Sequence, residues 1–164
     1  MHYFWGMTGF HWALLGAWIA VVGGGVGSSI GITYAVHVAA GICVEEPDKF
    51  GALLPIVAVP GTQGIYGFIT GVLVAVFFGL LGGQGDKIQP IVGFQIFLAC
   101  LPVAFNCGIS AVYQGLSSVG AMPMVAKRTE EAGKALIYPA LVETYAVLSL
   151  IITILLLLSI RSSM

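Results

Sequence analysis

The sequence predicts an all-α membrane protein of four transmembrane helices, arranged as two tandem helical hairpins. Three observations carry that prediction. Of the 164 residues, 59% are hydrophobic and 8% are charged, where a soluble domain carries about a quarter charged residues. The charges gather in short clusters with long apolar stretches between them. The second half of the chain echoes the first at a constant offset, the one that sets Ser28 on Ser110. Water cannot solvate so apolar a surface, and lipid is its natural solvent.

The elements follow from the charge clusters. Glu45, Glu46, Asp48 and Lys49 form the first. Asp86 and Lys87 form the second, beside Gly82, Gly83 and Gly85. Lys127, Arg128, Glu130, Glu131 and Lys134 form the third, and Arg161 stands near the end. The gaps predict helices at 9–44, 50–81, 89–126 and 131–160. Each exceeds the ~20 residues that cross a bilayer, so the helices protrude or tilt. Lys49, Lys127, Arg128 and Lys134 lie on one side, and Lys87 and Arg161 on the other. The basic excess places the first and third loops in the cytoplasm and both termini outside.

Helix one repeats small residues every four positions: Gly23, Gly27, Gly31, Ala35 and Ala39. Helix three carries Gly108, Ala111, Gly115, Ser117, Ser118 and Gly120. Such residues let helix backbones approach closely. Helices one and three are therefore expected to form an inner layer, with two and four outside. The run Gly23-Gly24-Gly25-Val26-Gly27 lacks the Lys-Ser/Thr ending of a phosphate loop and lies mid-helix. Pro60 removes a backbone hydrogen bond inside helix two. Irregular backbone is tolerated in a membrane where it lines a site. Pro55 and Pro139 read as plain kinks.

Under the repeat offset, Ser28 meets Ser110, Gly51 meets Gly133, Ala58 meets Ala140 and Thr62 meets Thr144. The hairpins therefore divide as 1–82 and 83–164, in parallel orientation. The same shift sets Gly61 opposite Glu143, so only the second hairpin carries a carboxylate. One ion per four helices is the expectation.

The net charge of −1 and the lack of a basic patch argue against a nucleic-acid partner. Cys43, Cys100 and Cys107 have no paired spacing and read as small packing residues. No Cys or second His stands at metal-ligand spacing from His37, which is expected to line an inner surface or to touch lipid enclosed there. Residues 1–8 contain no Lys or Arg, unlike a secretory signal. His2 and His11 read as interfacial. Trp5, Trp12 and Trp18 read as interface anchors or packing near the outer leaflet.

One charge lies deep in an apolar span: Glu143, within Ala140-Leu141-Val142-Glu143-Thr144-Tyr145-Ala146. A bare carboxylate there costs several kcal/mol or takes a proton, which makes it a functional candidate. Val59, Thr62, Gln63 and Tyr66 follow i, i+3, i+4, i+7 spacing and share one face of helix two. That face offers a hydroxyl, an amide and a phenol, and Gln114 adds a second mid-membrane amide from helix three. Hard oxygen donors around one carboxylate suit a hard cation.

Three segments together, Pro60-Gly61-Thr62-Gln63-Gly64-Ile65-Tyr66-Gly67-Phe68, Gln114-Gly115 and Val142-Glu143-Thr144-Tyr145-Ala146, closely resemble the subunit K family of V-type sodium-transporting ATPases. These proteolipids are the duplicated relatives of the F-type c subunit. The resemblance covers nearly the whole chain. It implies a homo-oligomeric ring of identical subunits that turns against a membrane stator protein bearing an Arg. It also implies that the Glu143 carboxylate, the Thr62 hydroxyl, the Gln63 and Gln114 side-chain oxygens and the Val59 carbonyl hold Na⁺. Val59 stands where the family often has Leu, a change that a backbone ligand absorbs. Tyr66 matches a tyrosine that hydrogen-bonds the carboxylate and locks the occupied site. The loops around 45–50 and 127–132 match turns that seat the central stalk. With Na⁺ bound, Glu143 is neutralised and can pass through lipid in the cell membrane. The subunit itself is non-catalytic, since ATP is handled elsewhere in the complex.

A carrier of H⁺ needs only a desolvated carboxylate. Thr62, Gln63 and Gln114 would then be superfluous buried polar groups, so their presence favours Na⁺. Two rivals come from other classes. A small multidrug/proton antiporter also buries a glutamate, though usually in its first helix and without a fused second hairpin. A purely structural pore has no use for Glu143.

Overall fold

The computed structural model describes residues 6–83 and 85–164, and four spans in it are long and apolar enough to cross a membrane. His2 and Trp5 lie outside the described residues. The first span is one helix, α1 (Gly9–Glu45). The second, Pro47–Phe77, is broken in the middle. It consists of α2 (Phe50–Ala58), a 3₁₀ turn at Val59–Gly61, and α3 (Thr62–Phe77). The third is α4 (Pro90–Lys127), and the fourth is carried by α5 (Ala132–Ser162).

Local chemistry sets the ends. The Thr8 hydroxyl caps α1, accepting from the His11 N–H while the His11 ring takes the Thr8 N–H. This is the reciprocal capping pattern, built with histidine in the usual Glu/Gln role. His11 is thus a capping residue as well as an exposed one. Pro90 opens α4 at a position where its missing N–H costs nothing. α3 stops at Phe77, four residues before the predicted end at 81. Gly79 there adopts left-handed φ 64°, which lacks the usual penalty only for glycine, and Leu80–Gly82 tightens into a 3₁₀ turn.

The most extensive interface joins α1 to α4, the helices expected to form the inner layer. Their contact is backbone against backbone. A Cβ at Gly23 would strike the Ala104 carbonyl, one at Gly27 the Gly108 carbonyl, and one at Gly31 the Ala111 carbonyl. From the other side, Gly115 faces the Gly31 carbonyl. α3 also seats on α1, because Gly24 abuts the Gln63 carbonyl and Gly67 the Ala20 carbonyl. Outside this seam, α5 presents Leu141, Tyr145, Leu148, Ile152 and Leu155 to the exterior. Trp12 is buried against the Phe94 and Phe97 rings, with centroids 5.0 and 5.5 Å away, whereas Trp18 is exposed.

One loop residue turns inward. Lys49 is 12% exposed, pairs with Glu46 at 2.6 Å and donates to the Ala126 carbonyl at the end of α4. Carbonyls in a last helical turn have no partner within their own helix, and a cation there also meets the negative end of the helix dipole.

Candidate ion-binding site

Four elements bring polar groups to one level of the bundle. The 3₁₀ turn at Val59–Gly61, centred on Pro60, supplies the first. The Val59 carbonyl accepts both the Thr62 N–H and the Thr62 hydroxyl, the latter at 3.0 Å. The same hydroxyl lies 3.3 Å from Gln63 Oε1.

Gln63 then reaches across to α4, where its Nε2 donates to Gln114 Oε1 at 2.5 Å. Gln114 Nε2 donates in turn to the Pro139 carbonyl on α5, at 3.0 Å. Both amides are fully buried, so each depends on the other. Pro139, read from the sequence as a plain kink, therefore supplies the acceptor on which the amide chain ends.

One turn beyond Pro139 stands Glu143, half-buried, and Tyr66 on α3 donates to its Oε1 at 2.6 Å. Among the described residues no hydrogen bond joins Glu143 directly to Thr62, Gln63 or Gln114. The carboxylate and the amide chain converge on the 139–143 turn of α5, Tyr66 of α3 serving the one and Gln63 of α3 the other.

Ser28 is a further participant. Its Oγ, on α1, accepts the Gly64 N–H at 2.8 Å, in the first turn of α3. It steadies the turn that aims Val59 and Thr62. The only trace in the sequence was its pairing with Ser110 in the repeat. Thr70 donates to the Tyr66 carbonyl at 3.0 Å and fixes the next turn of α3.

Hydroxyl, amide and carbonyl oxygens thus gather within a few turns of one carboxylate, and hard oxygens of this kind are the donors a hard cation takes. No group of three or more His, Cys, Asp or Glu that could hold a metal ion occurs among the described residues.

Two stretches of the chain, residues 15–74 and 97–156, match the family model of the ATP synthase C subunit. The chain belongs to the ATP synthase C-subunit family. The starts of the two stretches, 15 and 97, are separated by the same offset as the sequence repeat. Each hairpin is thus one unit of that family, and the four-span protein is a fused pair. It is an integral membrane protein. The chain is 35% identical over 151 residues to the V-type sodium ATPase subunit K of Enterococcus hirae, covering 92% of this chain and 93% of that protein. It is also 35% identical over 146 residues to the A-type ATP synthase subunit K of Methanocaldococcus jannaschii, covering 89% of this chain and 61% of that longer protein.

Proposed function

We propose that the chain is the rotor-ring subunit of a V-type rotary ATPase and carries Na⁺ across the membrane on Glu143, coupled to ATP hydrolysis or synthesis in a soluble sector. The observation that carries this reading is the Tyr66–Glu143 hydrogen bond at 2.6 Å, set beside the Thr62–Gln63–Gln114 chain within the C-subunit fold. The name of the Enterococcus relative supports sodium as the ion. Na⁺ is the cargo, held by Glu143, Thr62, Gln63, Gln114 and the Val59 carbonyl. Binding cancels the carboxylate's charge, which lets the site face lipid. Tyr66 holds the carboxylate in place and locks the loaded state. A stator Arg draws the carboxylate off the ion at the exit path. The loops at 45–50 and 127–132 seat the central stalk on the cytoplasmic side of the cell membrane, with both termini external. The hairpins divide at 82/83, and only the second is loaded.

A proton-carrying reading has one observation in its favour. The hydrogen bonds of Gln63 and Gln114 run to each other and to the Pro139 carbonyl, which gives the buried amides a role in helix packing besides any in ion binding. Two measurements separate the readings. Purified ring should bind ²²Na⁺, and Glu143→Gln and Gln63→Ala should each abolish or strongly weaken that binding while the ring still assembles. Carbodiimide attacks the protonated carboxyl, so NaCl at constant ionic strength should slow labelling of Glu143. Labelling that ignores NaCl sinks the sodium reading and leaves H⁺. Glu143→Gln with coupled ATP hydrolysis intact sinks the rotor reading.

A further inference from the structure

A groove of about 700 Å³ runs between α4 and α5, lined in part by Leu98, Phe105, Ile109 and Leu148. Moved back by the repeat offset, these positions become Gly16, Gly23, Gly27 and Tyr66 of the first hairpin. That first-hairpin surface is the one the second hairpin covers. Gly16, Gly23 and Gly27 meet the backbone of Phe97, Ala104 and Gly108, and Tyr66 reaches Glu143. The two hairpins thus present equivalent faces, one covered within the chain and one open to the outside.

The covering face has its own counterpart. Ala104, Gly108, Ala111 and Gly115 on α4 correspond to Val22, Val26, Ser29 and Thr33 on α1. All four of these α1 residues are exposed. The hydroxyls of Ser29 and Thr33 are already spent on the carbonyls of Gly25 and Ser29, at 2.8 and 2.7 Å. The stripe can therefore enter an apolar contact without stranding a donor.

We infer that these two open faces meet between copies of the chain in the register of the internal seam, with Phe105 over Val22, Ile109 over Val26, and Tyr113 against Ser29 and Thr33 of the next copy. The occupant of the α4–α5 groove is a second copy of this chain. The inference rests on the ring-forming reading above and adds to it the contact surface and its register. Each chain has one face of each kind, so the contact is head-to-tail and propagates until it closes. The residue types also set the spacing. The internal seam has glycine on at least one side of each pair described here, whereas the contact between copies has Phe, Ile and Tyr against Val, Ser and Thr. Helix separation follows the side chains at the contact. Inner helices therefore alternate between a close step within a chain and a wider step between chains.

Cysteine pairs in the assembled, purified protein test the register. Val26→Cys with Ile109→Cys in one chain should, on mild oxidation, give a ladder of multimers with most chains above the monomer band. Either single variant and the parent should stay monomeric on a denaturing gel. Thr33→Cys with Phe105→Cys replaces Val22 by Thr33 as the partner of Phe105, about 16 Å out of register along a helix at 1.5 Å per residue, and should give no ladder. A ladder from this second pair and none from the first overturns the proposed register. So does the absence of a ladder from both in a preparation that native mass analysis shows to be multimeric. Parent protein that runs as a monomer in native mass analysis overturns the ring reading itself, and the contact with it.

Discussion

The Tyr66 phenol spends its one proton on Glu143, and the carboxylate has no second side-chain donor among the described residues. Hydrogen bonds to charged groups contribute about 1.5–3 kcal/mol. Tyr66→Phe should therefore weaken Na⁺ retention by roughly ten- to a hundredfold while leaving assembly intact, as read by ²²Na⁺ dissociation from the purified ring. An unchanged dissociation constant would remove the phenol from the site. The two buried glutamines make a sharper pair. Gln63→Leu leaves the Gln114 oxygen buried without its donor, at a cost of about 1–3 kcal/mol. Adding Gln114→Leu should recover much of the lost thermal stability and none of the ion binding. If the double variant is as unstable as the single, the two amides are not each other's partners. Glu143, Thr62, Gln63, Tyr66 and Gln114 were legible in the sequence because polar side chains stand out in apolar spans. Pro139 and Ser28 were not, for two physical reasons. A backbone carbonyl has no residue type to betray it, and serine is ordinary wherever helices pack closely.

Among the elements, the α1–α4 seam separates glycines that look alike in the sequence. Gly27 presses on the Gly108 backbone, whereas a Cβ at Gly25 would meet nothing within 4 Å. Gly27→Ala forces two backbones apart and should destabilise the protein by about 1–3 kcal/mol. Gly25→Ala should be neutral or stabilise by up to about 1 kcal/mol through helix propensity. Thermal unfolding in one detergent compares them directly, and equal shifts would refute the seam as described. The spans themselves were readable to within a residue or two at most ends, because clustered charges cannot enter lipid. The exception is the end of α3, where Leu80 and Leu81 prolong the apolar run past the actual stop. Hydropathy sees those leucines and misses the left-handed turn at Gly79 that ends the helix.

For the molecule as a whole, the duplication was visible in the sequence through the coincidence of turns and of small residues. Which way the chain threads the membrane rests on only six basic residues. With both termini external, Ser163→Cys should react with a membrane-impermeant maleimide added to intact cells, and Glu130→Cys only after the cells are opened, in a Cys43→Ser background. The opposite pattern inverts the topology. At the end of the bundle where the first and third loops lie, the sequence counted Lys49 simply as a loop charge. Its inward reach to the Ala126 carbonyl depends on where a distant helix happens to stop. That reach couples the two turns mechanically. One side chain thus pins the loop of the first hairpin to the last turn of the second hairpin's leading helix, like a peg through two overlapping plates.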